Sequence, residues 1–141
     1  MSHGNEIAAL DAELERRRVE AETAALTREL GRRKVFAHIR TVYPGPEGDD
    51  KCDLLQRTVY DNQWIPDKYK TGLTPKQGEF LVYEGRECLY GGSAGGGKSI
   101  SALIGATQYV DDPGYHALIL RRTYKQLAKA DSILNVSKEW F

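Results

Sequence analysis

From Asn5 to Lys34 the chain holds no proline and a single glycine, Gly31, while Ala, Leu, Glu and Arg dominate. These are strong helix formers, and the run predicts one long amino-terminal helix. Its apolar positions Ile7, Leu10, Leu14, Ala21, Ala24 and Ala25 begin on a heptad-like seam. Arg17 falls in that seam and the later positions are small, so the coiled-coil signal is weak. Glu13 with Arg17 and Glu29 with Arg33 stand four apart in the stabilising order, which supports a helix that needs no partner. Two roles stay open for residues 1–40: a solvated helical arm, or a helix that docks on a partner or dimerises.

Between Thr41 and Gly72 the pattern turns irregular. Pro44, Gly45, Pro46 and Gly48 mark turns, as do Asp61, Asn62, Pro66 and Asp67. We read 41–72 as a linker with one short helix around Cys52 to Tyr60, wrapped on the following core through Trp64, Ile65 and Tyr69. Thr74, Pro75 and Gln77 then carry a helix-start signature, with a hydroxyl at the N-cap, proline at the first helical position and an amide three residues after the cap. That helix should end near Glu84 or Gly85. Glu87 to Tyr90 reads as a short strand, Gly91 to Gly97 as a glycine-dense turn, Lys98 to about Val110 as a helix and Tyr115 to Leu120 as a second buried strand. Strand, loop, helix and strand predict a βαβ unit with parallel strands and a right-handed crossover. The expected fold class is therefore α/β, with residues 73–141 forming the start of an α/β domain behind the helical arm. Two strands and one crossover helix make an incomplete sheet, which predicts marginal stability.

Composition narrows the picture. With 40% hydrophobic and 28% charged residues, the 141-residue chain is not collagenous, mucin-like or disordered. Basic and acidic residues both number 20, so no global field recruits nucleic acid or an anionic membrane. Locally, residues 41–84 carry five basic against eight acidic groups, and 85–141 carry seven against five. Arg16, Arg17 and Arg18, then Arg32, Arg33, Lys34 and Arg40, could touch phosphates if DNA lies nearby, although acidic neighbours dilute them. No apolar stretch approaches the roughly 20 residues of a membrane span, and no secretory signal is present, so a cytosolic location is expected. Cys52 and Cys88 lack the spacing of a zinc site or disulfide framework.

The chemistry concentrates in one segment. Gly92, Ser93, Ala94, Gly95, Gly96, Gly97, Lys98 and Ser99 satisfy G-x-x-x-x-G-K-[ST], the P-loop or Walker A motif. Backbone amides must wrap a polyphosphate at close range, and side chains at the wrapping positions would obstruct it and forbid the positive φ angles of the curve. The following helix offers its unpaired amides and dipole to the same anion. Lys98 is expected to reach the β and γ phosphates, and Ser99 to supply a hydroxyl to the bridging magnesium ion. With 14 glycines in the chain, a chance match is on the order of one percent by composition.

Gln77 has two readings: its amide reads the adenine edge, or it closes the capping box with Thr74. Arg121 and Arg122 follow the second expected strand, where either one approaches a γ-phosphate or a neighbouring subunit's nucleotide, or where both simply end a strand at the surface. His3, His38 and His116 share no ligand spacing and are expected to be structural or solvated.

Three segments together resemble the amino-terminal ATPase region of a tailed-phage terminase large subunit. They are Leu73-Thr74-Pro75-Lys76-Gln77 with Phe80-Leu81, then Leu89-Tyr90 running through Gly91 to Ser99, and Tyr115 to Tyr124 with Arg121-Arg122. The resemblance covers about Trp64 to Tyr124. It implies ATP and Mg2+ as cofactors and Gln77 as an adenine contact. It also implies a motor that moves double-stranded DNA through a portal into a procapsid, with a small terminase subunit as partner, in the cytoplasm of a bacterial host. The intact motor would be a homo-oligomer with an added nuclease domain. A Walker B segment of four apolar residues followed by paired acids is absent, so the chain is expected to be a truncated product that binds ATP weakly and turns it over poorly. A helicase-like P-loop ATPase, or a non-catalytic interaction protein that works through residues 1–40, are the alternatives.

Overall fold

Helix starts in this chain are set by prolines, threonine and glycine. A computed structural model describes residues 2–92, 97–129 and 132–141, with side chains from residue 4 onward. Helix α1 runs over Ser2–Val42, about 60 Å at 1.5 Å per residue. The expected pairs both form: Arg17 Nε lies 2.8 Å from Glu13 and Arg33 Nε 2.7 Å from Glu29. Such exposed pairs add little individually. Ile7, Leu10 and Leu14 stay exposed, whereas Val35 and Ile39, four apart on one face, are completely buried. Only the carboxyl-terminal part of α1 belongs to the core.

The stretch expected to be an irregular linker is largely helical. Helix α2 spans Pro46–Leu55, with Gly45 at φ 77° as its N-cap and Glu47 and Asp49 in its first turn. A π-helical turn, Gln56–Tyr60, continues it, and α3 covers Asp67–Thr71. Proline at a first helical position and acids beside the helix dipole favour a start where the same residues also suggest a turn. Ile65 is buried, Tyr69 lies 5.0 Å from the Trp140 ring, and Trp64 Nε1 donates to Asp111 at 2.8 Å. Helices α4 (Pro75–Leu81), α5 (Lys98–Thr107), α6 (Tyr124–Ala128) and α7 (Ile133–Ser137) complete the described order. The core gathers Val35, Ile39, Cys52, Leu55, Val59, Ile65, Leu73, Leu81, Val82 and Ile104. Gly78 permits the close α1–α4 approach, because a Cβ there would lie 2.4 Å from Val35 Cγ1.

The expected α/β class is not what forms. Among the described residues there is no strand and no sheet, so the βαβ unit is replaced by an all-helical arrangement. Glu87 to Tyr90 and Tyr115 to Leu120 make no ladder, and Leu89, Leu118 and Leu120 are 99%, 80% and 76% exposed. A strand is stabilised by its neighbours, and two short parallel runs with no third strand bury too little to hold each other. No helix is long and apolar enough to cross a membrane, among the described residues.

Helix α4 is tied to α1 by a side-chain polar contact as well as packing. His38 Nε2 lies 2.8 Å from Glu79 Oε2, and Lys76 Nζ donates to the same oxygen at 2.9 Å. The His38 contact first, and Lys76 second, hold the Glu79 carboxyl below its ordinary value of 4.5. A lowered folded-state value means the contribution is present above that ordinary value and lost as pH falls through the lowered one. Glu79→Gln should cost about 1 kcal/mol near neutral pH, and the gap should close on acidification. Urea unfolding of both proteins across a falling pH series checks it; a gap constant with pH would remove the carboxylate as its source.

Candidate functional site

The site is built outward from α4. Thr74 is its N-cap: the Gln77 amide N–H donates to Thr74 Oγ1 at 3.3 Å, and the Thr74 N–H donates to Gln77 Oε1 at 2.8 Å. Pro75 takes the first helical position, so the capping box read in the sequence is complete. Gln77 is only 5% exposed. Its remaining polar atom, Nε2, donates across 20 residues to the Gly97 carbonyl at 3.2 Å.

Gly97 is the N-cap of α5, with φ 71° and ψ 12° in the left-handed region where a Cβ is disfavoured. Its carbonyl also accepts the Ser101 backbone N–H and the Ser101 hydroxyl, each at 2.9 Å. At the other end of the glycine segment Gly92 has φ 141°. Both described ends of the segment thus use backbone angles that favour glycine. Ser93, Ala94, Gly95 and Gly96 lie outside the described residues. Lys98 Nζ donates to the Gly92 carbonyl at 2.9 Å, so the lysine folds back toward the start of the loop. Ser99 Oγ accepts from Arg121 Nη2 at 3.1 Å.

A cavity of about 540 Å³ brings Lys98, Ser99 and Arg121 together with Phe80, Tyr90 and Ile119. No carboxylate is among its described lining residues, so its electrostatic character is cationic. A second cavity of about 510 Å³, lined by Tyr43, Lys76, Glu79, Tyr83 and Gly92, shares Phe80 and Tyr90 with the first. Those two rings stack at 4.8 Å with 13° between their planes, forming the wall common to both cavities. No group of three or more His, Cys, Asp or Glu that could hold a metal ion occurs among the described residues.

Of the residues singled out in the sequence, Gln77, Gly97, Lys98, Ser99 and Arg121 converge on one place. Arg122 is exposed and is absent from the described cavity lining. The place expected for the arginines, the carboxyl end of a strand, is not realised because no strand forms among the described residues; Arg121 reaches Ser99 from an irregular segment. His38 and His116 make local contacts, to Glu79 and to the Gly114 carbonyl; the side chain of His3 lies outside those described. Sequence reasoning missed Ser101, completely buried on the loop's helix. Its signal was a serine four residues beyond a helix N-cap, where a hydroxyl returns to the preceding turn's carbonyl.

No protein-family model matches the chain, and neither a curated protein nor a solved structure matches it. A functional reading therefore rests on the residues and their geometry.

Proposed function

We propose that the chain binds the polyphosphate of ATP through the Gly92 to Ser99 loop. The observation that carries this is the left-handed Gly97 at the head of α5, with Lys98 and Arg121 on the same cavity as Ser99. Helix amides, a glycine-permitted curve and two cations with no carboxylate among the described lining residues suit a dense anion. Lys98 and Arg121 would hold phosphate oxygens. Ser99 Oγ would serve as an oxygen ligand to Mg2+, whose role when bound is to neutralise phosphate charge. Arg121 already donates to that oxygen, so the guanidinium and the ion compete for it. With no described carboxylate to orient water in this cavity, binding without appreciable turnover is the expected behaviour.

The finer reading is the ATP-binding part of a phage DNA-packaging motor, with double-stranded DNA, a portal and a small terminase subunit as partners. Its support is the resemblance carried by Leu73 to Gln77 with Phe80-Leu81, Leu89 to Ser99 and Tyr115 to Tyr124. Titration calorimetry of the full chain with ATP and with inorganic tripolyphosphate, with and without magnesium, tests the binding step. The unmodified chain should bind both, and Lys98→Ala should weaken both by about ten- to a hundredfold, the loss of a charge-assisted contact. Equal binding by the two proteins, or none by either, would end the reading. In the intact motor, Lys98→Ala should stop ATP-driven DNA uptake.

A further inference from the structure

Resting on the polyphosphate reading above, we infer that Gln77 is a positioning residue for the phosphate loop and does not read the nucleotide base. Reading an adenine edge takes one amide donor and one acceptor presented together. In this structure Oε1 is engaged by the Thr74 N–H and Nε2 by the Gly97 carbonyl. Gln77 as a whole is only 5% exposed, and both of its amide atoms are committed to partners within the chain.

What the second contact fixes follows from peptide geometry. In a planar trans peptide the C=O and the next N–H point in opposite directions. The Gly97 carbonyl is drawn toward Gln77 and Ser101, so the Lys98 N–H is sent the other way, out of the amino end of α5. That is the direction from which a helix start binds an anion. Ser101 belongs to α5 and moves with it. Gln77 belongs to α4, which is locked on α1 by Gly78 against Val35 and by Glu79 against His38. Gln77 therefore references the loop to the core, and the site selects for the phosphate chain whatever base it carries.

The test compares the full chain with Gln77→Leu and Thr74→Ala, measuring affinity for ATP, GTP and inorganic tripolyphosphate alongside thermal unfolding. Both substitutions break the capping box and should lower the thermal midpoint by a few degrees, about the effect of one lost cap. Only Gln77→Leu also releases Gly97. It should weaken all three ligands by the same factor, about tenfold for one lost buried hydrogen bond, while Thr74→Ala stays within about twofold. Loss of ATP binding alone, with tripolyphosphate unaffected, would make Gln77 a base reader and overturn the inference. Equal losses in the two variants would reduce Gln77 to a helix cap. Unchanged binding by Gln77→Leu would overturn this inference and leave the polyphosphate reading standing; no binding by the unmodified chain would take down both.

Discussion

Leu55→Ala is expected to destabilise the protein by about 2–5 kcal/mol, the range for emptying a buried leucine site. Leu55 is completely buried at the end of α2, among the residues that join α1 to α4. A Cβ placed on Gly78 would lie 3.5 Å from Leu55 Cδ2 and 2.4 Å from Val35 Cγ1. The glycine thus marks a seam where α1, α2 and α4 approach closely, and such a site cannot collapse inward without moving a helix. The cost is large against a total stability of about 5–15 kcal/mol. Leu10→Ala provides the comparison, since Leu10 is 62% exposed on the arm and its truncation should stay within about 0.5 kcal/mol. Urea unfolding of the two variants reads the difference. Equal costs would mean that the arm of α1 is as tightly held as its buried end, contrary to the burial pattern.

The same residues show what the sequence made legible. Helix α1 followed from composition over Asn5 to Lys34, and the capping box followed from Thr74, Pro75 and Gln77, because both are local: every atom needed lies within a few residues. The start of α5 at Lys98 was legible for the same reason. The sheet was not. Glu87 to Tyr90 and Tyr115 to Leu120 read as strands, yet β preference measures packing against neighbours, and Leu89, Leu118 and Leu120 stay 99%, 80% and 76% exposed here. Pro46 and Pro66 read as turn markers in the sequence, yet Pro46 opens α2 and Pro66 caps α3, each with an acid in the first turn. At the site, glycine spacing located the loop, and its ends do take glycine-type angles. The Gln77 to Gly97 bond was invisible because it spans 20 residues and depends on how α4 sits against α5. That Arg121 lines the cavity and Arg122 does not likewise needed three dimensions.

Gly97→Ala should weaken the proposed polyphosphate binding as strongly as Lys98→Ala. At φ 71° a non-glycine residue costs about 1–2 kcal/mol in the left-handed region. The new Cβ would also lie 2.4 Å from Gln77 Nε2, so the amide must withdraw and its hydrogen bond to the Gly97 carbonyl is lost. Together these predict a loss of about ten- to a hundredfold in tripolyphosphate affinity, measured by calorimetry. Gly92→Ala separates the two causes. It meets unfavourable φ, 141°, and among the described residues only Lys98 Nζ comes near its Cβ, at 3.9 Å, so it should carry strain without a clash there. Adding Gln77→Ala to Gly97→Ala removes the obstructing amide but leaves the backbone angle. Because the alanine at 97 has already expelled that amide, the double variant should bind no more weakly than Gly97→Ala alone, a non-additivity expected only of groups in direct contact. Losses that simply multiply would mean that Gln77 and Gly97 act on the ligand separately, and the structural link between α4 and the loop would have to be abandoned.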